Sequence, residues 1–273
     1  MPTAVITGLG GFIGTHLGRV LVQETWNVFP VKRNRAHLAF GSQQTADAVI
    51  HLATNYGRND ELGSRMLEDN TLFPLRLLEE AIVRYVPIFI NIDTSFNINY
   101  PYQRPYTVSK KQFAQWGEVL CKGTETKFIN LTLHIVYGPG DSVKKFVPSI
   151  ICQCLASGEI TLTLGEQKKD FTHVEDVVSA IIRLLANVDS TWKHYSDVDC
   201  GTGNAVSIRE IVELIHRLTK SKATLKFGAL PYRDNELMFL QADTTILNSL
   251  GWKVTIPMET RLQTLLLDEY DVH

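Results

Sequence analysis

Tyr106 and Lys110 stand four residues apart, a spacing that puts both side chains on one face if a helix carries them. An ordinary phenol has a pKa of about 10 and is a poor acid–base group at neutral pH. A neighbouring ammonium stabilises the phenolate and lowers that pKa. The pair therefore indicates an acid–base site in which Tyr106 exchanges a proton with a substrate oxygen and Lys110 holds the pKa of the phenol down.

Two hydroxyl residues, Thr94 and Ser95, come just after a β-branched run at 88–92 that is predicted to be a strand. A hydroxyl at the end of that strand would face the same cleft as Tyr106. It could hydrogen-bond a substrate carbonyl or alkoxide and steady its charge as the charge develops. We expect Thr94 to be the third catalytic residue, with Ser95 as the alternative, and both to contact substrate.

A glycine-rich loop follows the first predicted strand, in the order Thr7-Gly8-Leu9-Gly10-Gly11-Phe12-Ile13-Gly14. Gly8 permits a tight turn, Gly11 lets backbone N–H groups approach a pyrophosphate, and Gly14 allows close packing of helix on strand. The N-terminus of the next helix adds partial positive charge where phosphates would sit. The loop therefore predicts a bound dinucleotide, contacted by the residues Gly8, Gly11, Phe12, Ile13 and Gly14.

The second predicted strand ends in a group of cations that includes Lys32, Arg33 and Arg35. Sites specific for NAD usually place an Asp or Glu there to bind the ribose hydroxyls, and this segment has none. Arg and Lys suit the 2′-phosphate of NADP. We therefore predict NADPH as the cofactor, with Lys32 and Arg33 at its phosphate. The alternative is a solvated basic loop.

The elements that must position these residues alternate between short β-branched runs and longer helical patterns. Such alternation predicts βαβ units with right-handed crossovers, and so a Rossmann-type, doubly wound parallel sheet with a smaller C-terminal α/β substrate lobe. Strands are predicted at 3–7, 26–31, 48–52, 88–92 and 127–133, and helices at 12–24, 65–85, 106–120, 146–156, 174–186 and 208–219. We expect 1–138 to form the dinucleotide-binding domain, with 172–200 returning to it, and 139–273 to form mainly the substrate lobe.

The composition excludes several classes of protein. The chain has 273 residues, 44% of them hydrophobic and 21% charged, with a net charge of −2, so there is no global basic field to attract nucleic acid. The apolar runs are too short to span a bilayer, and no leader segment is visible. The four cysteines and eight histidines lack metal-ligand spacing. We expect a cytoplasmic protein with reduced cysteines and with no metal, nucleic-acid or membrane partner.

Together these segments resemble the extended short-chain dehydrogenases/reductases, the group of nucleotide-sugar epimerases, dehydratases and reductases. The resemblance covers nearly the whole chain, and its motifs occur in the family's order. They are 7–14 (TGLGGFIG), 47–53 (DAVIHLA), Asn70, 136–140 (VYGPG), 169–177 (KDFTHVEDV), and Ala242-Asp243 followed by Leu250-Gly251-Trp252. The resemblance implies that Leu52 and Ala53 line the cofactor. It also implies a homodimer formed through the helices at 65–85 and 106–120.

Within that group the chain is most similar to the CDP-paratose/CDP-abequose synthase branch. The segments that carry this similarity are 55–59 (NYGRN), 91–96 (NIDTSF) and 233–238 (RDNELM). The branch implies reduction by NADPH of the C4 ketone of CDP-4-keto-3,6-dideoxyglucose, a step that feeds bacterial surface polysaccharide (O-antigen) synthesis. Arg233 is then expected at the substrate pyrophosphate, with Lys169 and Arg58 as weaker candidates for that end or for the sugar.

The chain departs from the family pattern at several positions. Asp93-Thr94 stands where the family usually has Ser-Ser, and Lys169 replaces the usual Arg. His134 is expected near the nicotinamide or the sugar, although a polar residue satisfied at a strand end is an equal alternative. The nucleotide base, the configuration at C4 and the presence of a 3-hydroxyl stay open.

Three other functions compete with the reductase. A 4-epimerase would hold NAD tightly and oxidise and re-reduce one carbon, and the cations at 32–35 argue against it. A 4,6-dehydratase commonly has Asp-Glu after the catalytic Thr, where this chain has Ser95-Phe96. A non-catalytic NADP(H)-binding regulator would often lose the Tyr/Lys pair that this chain keeps.

Overall fold

The structure is a computed structural model that describes residues 1–32, 45–57, 61–188 and 192–272. The strands are β1 (Thr3–Thr7), β2 (Asn27–Val31), β3 (Ala48–His51), β4 (Ile88–Thr94), β5 (Lys127–Leu133), β6 (Ile135–Tyr137), β7 (Glu159–Leu162), β8 (Lys168–Lys169), β9 (Phe171–His173), β10 (Tyr195–Cys200), β11 (Val206–Ser207), β12 (Thr224–Phe227) and β13 (Phe239–Leu240). The helices are α1 (Phe12–Gln23), α2 (Gly63–Leu67), α3 (Phe73–Val83), α4 (Arg104–Cys121), α5 (Phe146–Ala156), α6 (Val174–Leu185), α7 (Ile208–Leu218), α8 (Thr245–Ser249) and α9 (Met258–Tyr270), with a π-helical segment, Glu68–Leu72, between α2 and α3.

Within the described ranges, the largest sheet has six strands in the order β10-β5-β4-β3-β1-β2. Each neighbouring pair in it runs parallel. The chain builds outward from β1 to β2 and then continues on the other side of β1 with β3, so the strand order reverses between β1 and β3. Ligands of open α/β sheets bind beyond the carboxyl ends of the strands at such a reversal. The predicted Rossmann-type α/β fold is confirmed.

The strands of this sheet are apolar because helices cover both of its faces. Alternate residues of β1 point to opposite sides, as the pleat of a strand requires. Ala4 and Ile6 pack into a core with residues of α1 and α6, whereas Val5 packs into a second core with residues of α3 and α4. The two cores fix the sheet between helical layers, and the functional loops therefore emerge from a rigid edge.

The C-terminal part has a core of its own, built from α5, α7, α9 and β7. Two elements from residues 172–200 instead lie with the large sheet: β10 pairs with β5, and α6 packs in the core that contains α1. We keep the division into a dinucleotide-binding domain, 1–138 with 172–200, and a substrate lobe, 139–273, as a proposal that agrees with this packing.

One long helix was predicted over 65–85, and the structure corrects this. The segment divides into α2, the π-helical segment Glu68–Leu72 and α3. A π-helical turn adds one residue to the helical circuit and is frequent at functional sites. Residues Asp69, Asn70 and Thr71 are all buried in this turn. The interruption therefore directs polar side chains inward where a regular helix with this sequence would direct some of them outward.

Candidate active site

The glycine loop lies at the strand reversal and touches the end of β3. Gly8 has a φ of +72°, and a Cβ on it would lie 2.7 Å from the backbone nitrogen of Ala53. A Cβ on Gly14 would lie 2.2 Å from the carbonyl oxygen of Gly8. The Gly11 N–H donates to that same Gly8 oxygen at 2.9 Å. Gly8, Gly14 and the Leu52-Ala53 segment just after β3 are thus packed backbone against backbone, as the motif predicts.

The start of α1 fits a phosphate-bearing cofactor. Its N-cap is Gly11, no side chain of the described residues caps it, and its first turn carries no acidic residue. The N–H groups of that turn therefore face outward without a carboxylate competing for them, and the helix dipole adds positive charge. Phe12 and Ile13 are the first two residues of the helix. These residues would hold the pyrophosphate of a nicotinamide dinucleotide.

Of the two cations predicted to bind the 2′-phosphate of NADPH, only one lies in the described residues. Lys32 follows the last residue of β2 and is exposed, as a 2′-phosphate ligand would need to be. Arg33 lies outside the described residues, and so does Arg58 of the predicted substrate contacts. The roles of these cations stay predictions.

Thr94, Tyr106 and Lys110 meet at the carboxyl end of β4. Tyr106 is in the first turn of α4, and the side chains of Thr94 and Thr54 lie beside its hydroxyl. Its ring packs on Tyr56, with the ring centroids 5.1 Å apart. Lys110 lies one turn further along α4 and is only 2% exposed. The three residues predicted to be catalytic are therefore buried together, with Thr54 as a second hydroxyl at the phenol.

Burial controls the protonation of this site, and it reverses one expectation. Lys110 was expected to lower the pKa of Tyr106. Burial instead raises the pKa of the Tyr106 phenol, and the hydrogen bonds from Thr94 and Thr54 offset only part of that rise. Burial also lowers the pKa of Lys110 to about 8, because the ammonium loses water. The phenol consequently stays protonated at neutral pH and holds a proton ready for donation.

Asn70, which the π-helical turn directs inward, connects the loop after β3 to the catalytic helix. Its Oδ1 accepts from the Asn55 backbone N–H at 2.7 Å, and its Nδ2 donates to the Asn55 carbonyl at 2.8 Å and to Ser109 Oγ at 3.0 Å. Ser109 in turn donates to the Tyr106 carbonyl at 2.8 Å. One amide therefore sets the distance between the segment that carries Thr54 and Tyr56 and the helix that carries Tyr106.

The predicted substrate cations Lys169 and Arg233 meet around one carboxylate. Lys169 is buried, with its Nζ 3.3 Å from Glu236 Oε1. Glu236 also accepts from the Tyr100 hydroxyl at 3.1 Å, and Arg233 donates to the same hydroxyl at 3.5 Å. The Arg233 guanidinium lies 3.9 Å from the centre of the Tyr102 ring. The loop after β4 and the segment around 233 thus share one polar cluster, and its two cations suit an anionic substrate group.

Two predicted residues have local partners. The Ser95 backbone N–H donates to the Leu133 carbonyl at 3.0 Å, which ties the end of β4 to β5. The His134 side chain is buried and lies 3.5 Å from the Asp199 carboxylate of β10. Among the described residues, neither ring nitrogen of His134 has a hydrogen-bond partner, so this contact does not satisfy the ring and the alternative of a satisfied polar residue stays open. A contact of His134 with cofactor or sugar stays a prediction.

Sequence reasoning missed several residues of the site. Thr54 could have been found, because it directly follows the Leu52-Ala53 end of a predicted strand at the same sheet edge. Tyr100 and Glu236 carry no such signal, since their contact joins parts of the chain 136 positions apart. Lys145, whose Nζ lies 5.3 Å from the Phe12 ring and 5.9 Å from the Tyr56 ring, is likewise visible only in the folded chain.

Two expected absences can be checked in the described ranges. They contain no group of three or more His, Cys, Asp or Glu side chains that could hold a metal ion. Within the same ranges, no helix has both the length and the apolar character needed to cross a membrane.

Known proteins place the chain in a family. The model of the NAD dependent epimerase/dehydratase family matches residues 4–201. The chain is 31% identical to CDP-abequose synthase of Salmonella muenchen over 283 residues, with 96% of each covered. It is 26% identical to GDP-6-deoxy-D-mannose reductase of Pseudomonas aeruginosa, with 96% of the chain and 95% of the relative covered.

Solved structures share the fold over almost the whole chain. RMD from Pseudomonas aeruginosa complexed with NADPH matches with a TM-score of 0.82, 22% identity and 98% of each chain covered. UDP-glucose 4-epimerase of Thermotoga maritima with UDP-glucose matches with a TM-score of 0.83, 20% identity and 98% and 99% covered. At these identities the structures establish the fold alone. The family match, which spans most of the chain and contains the glycine loop, Thr94, Tyr106 and Lys110, establishes that the protein belongs to the NAD dependent epimerase/dehydratase family.

Proposed function

We propose that the protein reduces the C4 ketone of a nucleotide-linked 6-deoxy or 3,6-dideoxy hexose with NADPH. The substrate is CDP-4-keto-3,6-dideoxyglucose and the product CDP-paratose or CDP-abequose, for bacterial surface polysaccharide. The observation that carries the proposal is the buried Tyr106 hydroxyl, which lies beside the side chains of Thr94 and Thr54 and is kept protonated by burial. The similarity to a CDP-abequose synthase and a GDP-6-deoxy-D-mannose reductase over 96% of the chain supports the substrate class.

The residues of the site divide the tasks of this reaction among them. The hydride for the carbonyl carbon is what the bound cofactor supplies. Tyr106 donates its proton to the C4 oxygen, and Thr94 hydrogen-bonds the same oxygen and steadies its charge. Lys110 keeps positive charge beside the phenol and hydrogen-bonds the ribose of the cofactor. Burial of Tyr106 keeps bulk water from the proton donor, so the proton goes to the substrate.

The polar cluster around Glu236 is the proposed subsite for the anionic part of the substrate. A guanidinium fork matches phosphate oxygens, and Arg233 is held by its contacts with Tyr100 and Tyr102. Lys169 is buried beside it, and burial lowers the pKa of that ammonium although Glu236 opposes the shift. A nucleotide diphosphate would thus meet two positioned cations at the lobe opposite the glycine loop.

Removing the two cations at the end of β2 tests the choice of NADPH. The Lys32→Ala/Arg33→Ala double variant is expected to raise KM for NADPH by at least about a hundredfold, because each ion-paired hydrogen bond to a phosphate is worth about 1.5–3 kcal/mol and the variant loses two. KM for NADH should change by less than about twofold, since NADH has no 2′-phosphate. Steady-state kinetics with both cofactors measures this. Lys222→Ala, at an exposed lysine of the C-terminal part, is the control, and equal losses for both cofactors would contradict the assignment.

The reaction itself is tested with a panel of 4-keto-6-deoxy and 4-keto-3,6-dideoxy nucleotide sugars bearing different bases. Stoichiometric oxidation of NADPH, followed by absorbance, with a C4 alcohol identified by NMR supports the reductase. Interconversion of C4 epimers without consumption of NADPH would identify a 4-epimerase with bound NAD. Binding of NADPH without turnover on any member would identify a regulator.

We also propose that the protein is a homodimer formed by the α2–α3 region and α4. Apolar side chains of this region are exposed: Val83 at 73%, Tyr85 at 76% and Val119 at 63%. A face of this kind indicates an interface. Light scattering should give twice the chain mass of 30.7 kDa, and Val119→Lys should halve the measured mass. A monomer in the wild type would contradict the proposal.

A further inference from the structure

We propose that Asp93 is a positioning residue of the active site, acting through the Thr94 backbone and through the negative charge it places near Lys110. Asp93 is the residue before the last one of β4, directly ahead of Thr94. Its side chain is fully buried, and a buried charge is costly unless it is paired. The kinetic part of the inference rests on the proposed function, and the rest does not.

The contacts of Asp93 hold the backbone of Thr94 from both sides. Asp93 Oδ1 accepts from the Thr94 N–H at 2.7 Å. Asp93 Oδ2 pairs with Lys111 Nζ at 2.7 Å, and the same ammonium donates to the Thr94 carbonyl at 2.9 Å. Asp93 and Lys111 therefore form a clamp around one residue, and that residue's hydroxyl meets Tyr106.

The clamp is anchored in the sheet behind the site. Asn130 on β5 donates to Asp93 Oδ2 at 3.0 Å and to Asp197 of β10 at 2.8 Å. Tyr195 of β10 donates to the same Asp197 at 2.6 Å. Asp93 is thus fixed directly by side chains of α4 and β5, and the β5 side chain is itself fixed by β10, which is more support than a carboxylate needs merely to bond the next backbone N–H.

The charge of Asp93 acts on Lys110 against the effect of burial. Among the described residues, the charged groups that face Lys110 are Asp93 from β4 and Lys111 from its own helix. Asp93 raises the pKa of Lys110, whereas burial and Lys111 lower it. Asp93 also raises the pKa of the neighbouring phenol, Tyr106, as Tyr56 does. One carboxylate thus favours the protonated form of both groups.

Three variants separate these effects. Asp93→Asn keeps the shape and one acceptor for the Thr94 N–H but removes the charge. Lys111→Met removes the cation that lowers the pKa of Lys110 and leaves Asp93 in place. Asp197→Asn is the matched control, because it removes a carboxylate of the same network that has no direct contact with Thr94 or Lys111 among the hydrogen bonds described above.

The first readout is the titration of Lys110 in the resting protein, from the ¹³Cε shift assigned with Lys110→Met. Asp93→Asn should move the Lys110 pKa down by about one unit from about 8. Lys111→Met should move it up, and Asp197→Asn should leave it unchanged. This measurement needs no substrate, so it tests the role of Asp93 even if the wild type reduces no keto-sugar. A wild type that reduces no keto-sugar would overturn the proposed function but not this inference.

The second readout is the pH profile of kcat/KM with NADPH and the keto-sugar that is turned over. Activity that needs the Lys110 ammonium falls as pH rises through its pKa, so Asp93→Asn should move the alkaline limb down by about one pH unit and cut the rate at pH 8 about fivefold. If Asp93→Asn does not fold, Asp93→Ser carries the same expectation. The proposal is overturned if Asp93→Asn changes neither the alkaline limb of the pH profile nor the pKa of Lys110. It is also overturned if Asp197→Asn shifts both by the same amount, because the role of Asp93 would then be purely structural.

Discussion

Tyr106→Phe is expected to lower kcat by about a thousandfold, within the range of 10² to 10⁴ that a positioned general acid contributes. The substitution removes only the hydroxyl, which is the group that lies beside Thr94 and Thr54. The phenylalanine ring can keep the place of the tyrosine ring on Tyr56. The affinity for NADPH should therefore change by less than about twofold.

Stopped-flow measurement of single-turnover NADPH oxidation, together with a fluorescence titration of NADPH, checks this expectation. Tyr270→Phe is the matched control, since Tyr270 is the last residue of α9, lies in neither the catalytic site nor the proposed interface, and should keep full activity. A Tyr106→Phe variant with more than about a tenth of the wild-type kcat would remove Tyr106 from the role of proton donor. Loss of NADPH binding would instead show that the hydroxyl has a structural task.

Gly14→Ala should be the most damaging single methyl addition in the glycine loop. A Cβ at this position would lie 2.2 Å from the Gly8 carbonyl oxygen and 2.7 Å from Leu9 Cα. Both neighbours are backbone atoms, so no side chain can rotate away and the loop must move from the start of α1. Overpacking of this kind costs about 1–3 kcal/mol, and a displaced loop no longer presents its N–H groups to a phosphate.

We expect Gly14→Ala to weaken NADPH binding by at least about tenfold and to lower Tm by several degrees, roughly 2–4 °C for each kcal/mol lost. Calorimetry of binding and of unfolding measures the two effects. Gly10→Ala is the control in the same loop, because a Cβ there meets no atom within 4 Å. Equal behaviour of the two variants would mean that close packing at Gly14 is not what shapes the cofactor site.

The sequence predicted the fold and the centre of the site because both depend on local patterns. The apolar strands and the glycine spacing place a loop at a sheet edge, and the Tyr106/Lys110 spacing needs only a helix. Element ends moved by a residue or two; β4, for example, runs to Thr94, so Asp93 and Thr94 are part of the strand. Such shifts change which residues face the sheet but not which elements exist.

Long-range packing decides what the sequence could not predict. Whether the pKa of Tyr106 rises or falls depends on how much water reaches the phenol. Burial has a larger effect on that pKa than the neighbouring groups have. The cluster of Lys169, Arg233 and Glu236 forms only because the C-terminal segment packs against the loop after β4. The π-helical turn also escaped prediction, because a pattern of apolar residues with a period near 3.6 hides the insertion of one residue.

The π-helical turn has a consequence for how this sequence can change over time. A π-helical turn accommodates one residue more than a regular helix does, so deleting one residue from 68–72 would restore a regular helix and change the direction in which the side chains of the turn point. Asn70 would then lose its hold on Asn55 and Ser109, although no catalytic residue had been altered. Substitutions are tolerable in this helix wherever side chains are exposed, whereas a change in its length is not. The number of residues in this turn therefore matters to the active site as much as their identities do.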